Sequence, residues 1–119
     1  MGIPSYGTQT LNVAVGQSLN GDFNSAAMEV IGFDMAAIQA VWSGANGVKG
    51  KIVPQASLDN VNWCDMVAIS DSRLVNAATG CLMYAFDFIP YDFLRVAFIA
   101  NGNTAGTMTV TIRAKKRIA

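Results

Sequence analysis

The sequence contains no histidine. That removes the commonest general base, the Ser-His and Cys-His nucleophile pairs and the commonest metal ligand together. Charge is scarce as well: Asp, Glu, Lys and Arg supply 13% of the 119 residues, about half the usual share of roughly 25% in soluble domains. Eight basic residues balance eight acidic ones, so no long-range field draws in nucleic acid or an anionic membrane. No apolar run reaches the roughly 18 residues that a membrane-spanning helix needs. Met1 to Gly7 has neither the basic region nor the apolar stretch of a secretory signal. The expectation is a soluble product of the cytosol that is not an enzyme, holds no cofactor or metal, and has neither nucleic acid nor membrane as its partner. The two cysteines, Cys64 and Cys81, suit free thiols in a reducing compartment. They fall in separate expected strands, so a bridge stays open geometrically.

What is abundant is apolar and small polar residues: 52% of the chain is hydrophobic. Residues 1–119 fit one domain with one core, and residues 1–7 form an expected N-terminal arm. Alternation at period two, the mark of a half-buried strand, recurs from end to end. Leu11, Val13 and Val15 face one way along Thr8 to Val15. Gln17 to Ala27, with Gly21-Asp22, is expected as a loop or poorly formed edge, and Met28 to Phe33 resumes a strand. Ile38, Ala40 and Trp42 share a face along Ala36 to Ser43. Gly44-Ala45-Asn46-Gly47 then supplies residues that accept positive φ, so the next strand, Val48 to Ser57, is expected to return as a hairpin. Pro54 removes a backbone donor there and points to an edge or a bulge. Further strands are expected over Trp63 to Ile69, Arg73 to Val75, Leu82 to Phe88, Phe93 to Ala100 and Thr107 to Ala114. Short strands with turn signals about every 8 to 12 residues are the pattern of an all-β chain. The fold class is therefore an antiparallel β-sandwich or jelly-roll of about eight short strands, with no helix of normal length.

The acids are mostly in turns, at Asp22, Asp34, Asp59, Asp71 and Asp92, where they cap strands through local hydrogen bonds. Asp59-Asn60-Val61-Asn62 offers hard oxygen ligands of the kind calcium takes, but it lacks the glycine and bidentate glutamate of an EF-hand loop, so turn stabilisation is the better account. Arg113, Lys115, Lys116 and Arg117 cluster near the end of the chain without interleaved aromatics, as a solvated strand end does. The segment Gln55 to Trp63 runs from a strand through an Asx-rich turn to an aromatic. Trp63 there either closes a hairpin as a core residue or stacks, exposed, on a sugar ring. Trp42, flanked by alternating core positions, is expected inside.

Gln55-Ala56-Ser57-Leu58-Asp59-Asn60-Val61-Asn62-Trp63, together with Phe93-Leu94-Arg95-Val96-Ala97-Phe98 and Ala105-Gly106-Thr107-Met108-Thr109-Val110-Thr111-Ile112, resembles a pattern of small bacteriophage virion proteins. Those run as a strand ending in Gln-x-Ser-x-Asp-x-x-x-Trp, a later Tyr/Phe-x-Arg-Val strand and a final Gly-Thr-rich strand. The resemblance covers about residues 38 to 114. It implies a sandwich or jelly-roll on the virion, assembled in the host cytoplasm. It further implies a capsid decoration or cement protein that binds the major capsid protein, commonly as a homotrimer. The same strands are similar to discoidin-type carbohydrate- and lipid-binding modules, which makes a virion adhesin or glycan-binding module the alternative; the internal placing of Cys64 and Cys81 departs from the terminal disulfide common in the secreted modules. The candidate interface or ligand residues are Ile3, Pro4 and Tyr6 on the N-terminal arm, which could add a strand to a neighbour, and the aromatics Trp63 and Tyr91, with Tyr84 a further candidate for glycan stacking.

Overall fold

A computed structural model describes residues 6–46, 50–66, 73–74 and 77–117, with the side chains of residues 6, 73 and 74 outside that description. The described chain is all β. Its strands are β1 (Tyr6–Ser18), β2 (Phe23–Asn24), β3 (Met28–Glu29), β4 (Met35–Ser43), β5 (Lys51–Ser57), β6 (Cys64–Asp65), β7 (Arg73–Leu74), β8 (Gly80–Phe86), β9 (Phe93–Ile99) and β10 (Thr107–Arg117). One sheet has the order β1-β10-β4-β8, and the other runs β2-β9-β5-β6, with β3 also on β9 and β7 also on β5. Every pairing is antiparallel. The antiparallel sandwich expected from alternation is the fold.

The core lies between the sheets, where alternate residues of the central strands meet. Ile38, Val110 and Ile112 from the first sheet and Ile52, Leu94 and Val96 from the second are all fully buried. The even-numbered positions of β4, β5, β9 and β10 thus point inward, as a period of two requires. Besides Ser57 at the end of β5, two polar side chains are buried with them, and both are satisfied. Asn103 donates from Nδ2 to the Leu19 and Ala105 carbonyls at 2.9 and 2.7 Å, and its Oδ1 accepts from the Asn46 amide at 3.1 Å. Ser25 accepts from the Val96 amide at 2.9 Å and donates to the Ala26 carbonyl at 2.9 Å. Neither therefore carries the penalty of an unpaired buried group.

Several local expectations need correcting. β4 and β5 do not form a hairpin: β4 has β10 on one side and β8 on the other, and β5 lies in the second sheet. Gly44 does take a positive φ of 75°, but the segment after it is drawn away from a tight reversal. Ala45 donates to the Ala78 carbonyl at 3.0 Å, and Asn46 exchanges bonds with Thr104, Nδ2 to Oγ1 at 2.6 Å and Thr104 amide to Oδ1 at 3.0 Å. With both edges of β4 occupied, the chain crosses to the other layer.

In β1 the expected common face of Leu11, Val13 and Val15 is broken, because register shifts fall between Asn12 and Ala14 and between Ala14 and Gln17. Each such bulge resets the alternation, so Val13 is buried while Val15 is 72% exposed. Met28 to Phe33 is a strand only at Met28–Glu29, after which a turn with Gly32 at φ 84° takes over. Pro54 does not lie on an edge strand, because β5 has β9 on one side and β6 and β7 on the other; its carbonyl accepts from the Met66 amide, so its missing donor faces the side of β6 and β7, between the residues that pair with them.

Candidate functional site

The turn after β5 is built by side chains that replace a backbone ladder. Ser57 Oγ donates to Asp59 Oδ1 at 2.9 Å and accepts from the amides of Asp59 and Asn60 at 3.2 and 2.9 Å. Asp59 Oδ1 accepts from the Val61 and Asn62 amides at 2.9 and 2.8 Å, while Oδ2 accepts from Asn62 Nδ2 at 2.7 Å. Asn60 sits at φ 61°, a left-handed position that asparagine tolerates. The amide donors of Asn62 and Val61, then the Asn62 and Ser57 side chains, favour the ionised carboxylate and hold Asp59 well below the usual carboxylate range. The oxygens that could have served calcium are thus engaged with protein donors. Among the described residues no group of three or more Cys, Asp or Glu could hold a metal.

This braced turn holds Leu58 and Val61 out to solvent at 70% and 77% exposure. Beside them is a cleft of about 340 Å³ lined by Ala56, Leu58, Asn62, Cys64 and Tyr91 among others. Tyr91 is half-buried, but its hydroxyl oxygen is sealed and makes no hydrogen bond. Burial pushes that phenol up to about 12. The cleft is apolar, with no paired acid and base for chemistry.

Trp63 is not in the core. It is half-buried on the outer face of the second sheet, with the Arg95 guanidinium 4.2 Å from its ring centroid. Arg95 Nε donates to Gln55 Oε1 at 2.8 Å, and Gln55 Nε2 donates to Asp65 Oδ1 at 2.9 Å. The chain Trp63–Arg95–Gln55–Asp65 runs across β9, β5 and β6 because Gln55 lies opposite both Arg95 and Asp65 in register. It borders a shallow groove of about 390 Å³ lined by Asp22, Asn24, Gln55, Asp65, Ala97 and Ile99 among others. Sequence reasoning found Trp63 but not its partners. The available signal was that Gln55 and Arg95 both occupy odd, outward positions of strands whose even positions are apolar.

The remaining candidates scatter. Ile3 and Pro4 lie outside the described residues. The Tyr6 backbone opens β1 opposite Arg117. Tyr84 points inward, its hydroxyl donating to the Ile52 carbonyl at 2.9 Å, so it is no stacking platform. Trp42 is in the core as expected and donates from Nε1 to the Ala77 carbonyl at 3.0 Å. Cys64 and Cys81 are exposed free thiols on strands of different sheets. The basic cluster continues β10, with Arg113 donating to Thr10 Oγ1 at 3.0 Å and the Arg117 amide to Asp34 Oδ2 at 2.7 Å; it is a strand end.

The outer face of the first sheet holds little charge. It carries Thr10 and Asn12 of β1, Thr107, Thr109 and Thr111 of β10, Gln39 and Val41 of β4, and Cys81 and Met83 of β8. Charge enters only towards one end, at Arg113 and Lys115. No helix among the described residues is long and apolar enough to cross a membrane.

Neither a protein-family model nor a curated protein sequence matches the chain. Solved structures do. The SPBc2 prophage-derived protein YomS is similar over 98% of this chain and 97% of its own, at 14% identity and a TM-score of 0.56. VP2 in the infectious bursal disease virus subviral particle is similar over 94% of this chain and 32% of its own, at 7% identity and a TM-score of 0.59. A carbohydrate-binding module described as CBM4 covers 94% of this chain and 69% of its own, at 13% identity and a TM-score of 0.50. At these identities the likeness is one of fold, and the fold it shares with all three is the β-sandwich.

Proposed function

We propose that this chain is a structural protein of a bacteriophage particle, a capsid decoration protein that binds the major capsid protein as a homotrimer and catalyses no reaction. The observation that carries the reading is the end-to-end match in fold with a prophage-derived protein of nearly equal extent. A sandwich similar to part of VP2 in a viral particle agrees with it. The surface agrees too: the first sheet presents a face of Thr, Gln, Val and Met with little charge, and such a face loses little on being buried in an assembly. The absence of histidine and the engagement of Asp59 in its own turn favour binding over catalysis. Mass spectrometry and electron microscopy of particles from the phage that encodes the chain test this. The protein is expected in stoichiometric amount on the head surface, and its absence from purified particles overturns the reading.

A second reading rests on the Trp63–Arg95–Gln55–Asp65 chain beside an open groove, an aromatic with polar neighbours of the kind that grips a sugar. Its test is a glycan array. Binding that vanishes in Trp63→Ala supports a virion adhesin, and no binding by the parent protein removes it.

A further inference from the structure

We propose that two copies of this chain pair through the outer edge of β8, antiparallel about a two-fold axis beside Met83, so that two four-stranded sheets become one. An open sheet edge is a row of unpaired backbone donors and acceptors, and proteins blunt such edges with bulges, short strands, proline or charge. Among the described residues three of the four edges are treated in that way. β1 carries two register shifts and Gly16 at φ 56°. Each edge of the second sheet is divided into two-residue strands, β2 with β3 and β6 with β7, the latter pair separated at Pro54. β8 has none of these devices. Its seven residues run in unbroken register with β4 from Ala36 opposite Phe86 to Trp42 opposite Gly80. It holds no charge, proline or bulge, and among the described residues no strand pairs with its far side.

The edge also complements itself. Centred on Met83, antiparallel pairing sets Leu82 against Tyr84 and Gly80 against Phe86 of the second copy on the inward face. Cys81 meets Ala85 and Met83 meets Met83 on the outward face. Leu82, Tyr84 and Phe86 are packed against the core but only partly buried, so a second copy adds cover along this edge. Gly80 has no room for a side chain, because a Cβ there would stand 2.8 Å from Trp42. Asp87, the nearest charge in sequence, falls opposite Thr79 of the second copy, so no like charges meet. Such a contact is isologous and closes at two copies. The homotrimer of the decoration reading uses a different surface and forms on the particle, so in solution the β8 contact alone sets the mass and the inference stands independently of that reading.

Light scattering on the full chain is expected to give twice the 12.6 kDa chain mass. Met83→Lys is expected to give a single chain mass with an unchanged circular dichroism spectrum. Met83 is 61% exposed, so the fold tolerates lysine, while two ammonium groups directly opposite each other repel. In a Cys64→Ser background, Ala85→Cys is expected to oxidise to a covalent dimer through Cys81, since cross-strand Cα spacings of about 4.5–5.5 Å suit a disulfide; the Cys64→Ser protein alone is expected to stay uncrosslinked. A parent protein that stays monomeric at millimolar concentration overturns the proposal, as does a dimer that survives Met83→Lys or an Ala85→Cys variant that does not crosslink. A strand of another virion protein on this edge would appear as a monomeric chain captured only by that partner, which also overturns it. Particle association of a monomeric Met83→Lys variant reports on the decoration role separately.

Discussion

Gly80 lies against the face of Trp42, so close that a Cβ on it would stand 2.8 Å from Trp42 Cζ2. The indole cannot retreat, because it is buried and its Nε1 is tied to the Ala77 carbonyl. Gly80→Ala is therefore expected to destabilise the fold by about 1–3 kcal/mol, the usual range for overpacking a core. Urea titration of the variant checks this in the Met83→Lys background, where no dimer contact enters. A change within error would mean that Trp42 moves aside freely.

The Asp59 carboxylate accepts bonds from Val61, Asn62 and Ser57, and these hold its folded pKa well below the unfolded value of about 3.9. A depressed acid contributes stability that is complete above the unfolded pKa and is lost as pH falls towards the folded one. Asp59→Asn is thus expected to lower the melting temperature at pH 7 and to differ less and less from the parent as pH falls below about 4. Thermal melts from pH 7 to pH 2 check it. A gap independent of pH would place the effect in packing and not in the charge.

Much of this architecture is legible in the sequence, and the reason is local. Ile38, Ala40 and Trp42, or Met108, Val110 and Ile112, declare their buried face by spacing alone. What spacing cannot carry is which strand lies beside which. The glycine-rich stretch after Ser43 has the chemistry of a tight turn, yet Asn46 is held by Asn103 and Thr104, more than fifty residues away. The two bulges in β1 leave no mark beyond Gly16. Trp63 was ambiguous because the strand beside it holds only Cys64 and Asp65, too few residues to fix a face, and its neighbour Arg95 comes from a strand far along the chain.

Tyr91 reverses the usual sign of a tyrosine truncation. Its hydroxyl is buried without a partner, and an unpaired buried hydroxyl is a penalty in the folded state alone. Tyr91→Phe is expected to hold or raise stability by up to about 1 kcal/mol. The folded phenol titrates at about 12, above its ordinary value of 10.0. That raised value supports the fold fully below pH 10 and the support is lost as pH climbs through 12. The parent should therefore lose more stability than Tyr91→Phe over that range, as read by denaturant midpoints at pH 9 and pH 11. Equal losses would show that the phenol is solvated.

The two tryptophans separate packing from recognition. Trp42 is buried in the core, and Trp42→Ala is expected to cost about 3–5 kcal/mol. Trp63 lies half-buried under Arg95, and an exposed cation–π contact is worth about 0.5–1 kcal/mol, so Trp63→Ala is expected to cost about 1 kcal/mol. Acrylamide should quench Trp63 and spare Trp42, which makes the fluorescence of the parent a direct report on the outer groove. A glycan that stacks on Trp63 would protect it from quencher and shift its emission to the blue. A structural partner docking elsewhere on the sandwich would leave the quenching unchanged. If Trp63→Ala were instead as damaging as Trp42→Ala, the indole would be a packing residue, and the glycan reading would lose the tryptophan on which it rests.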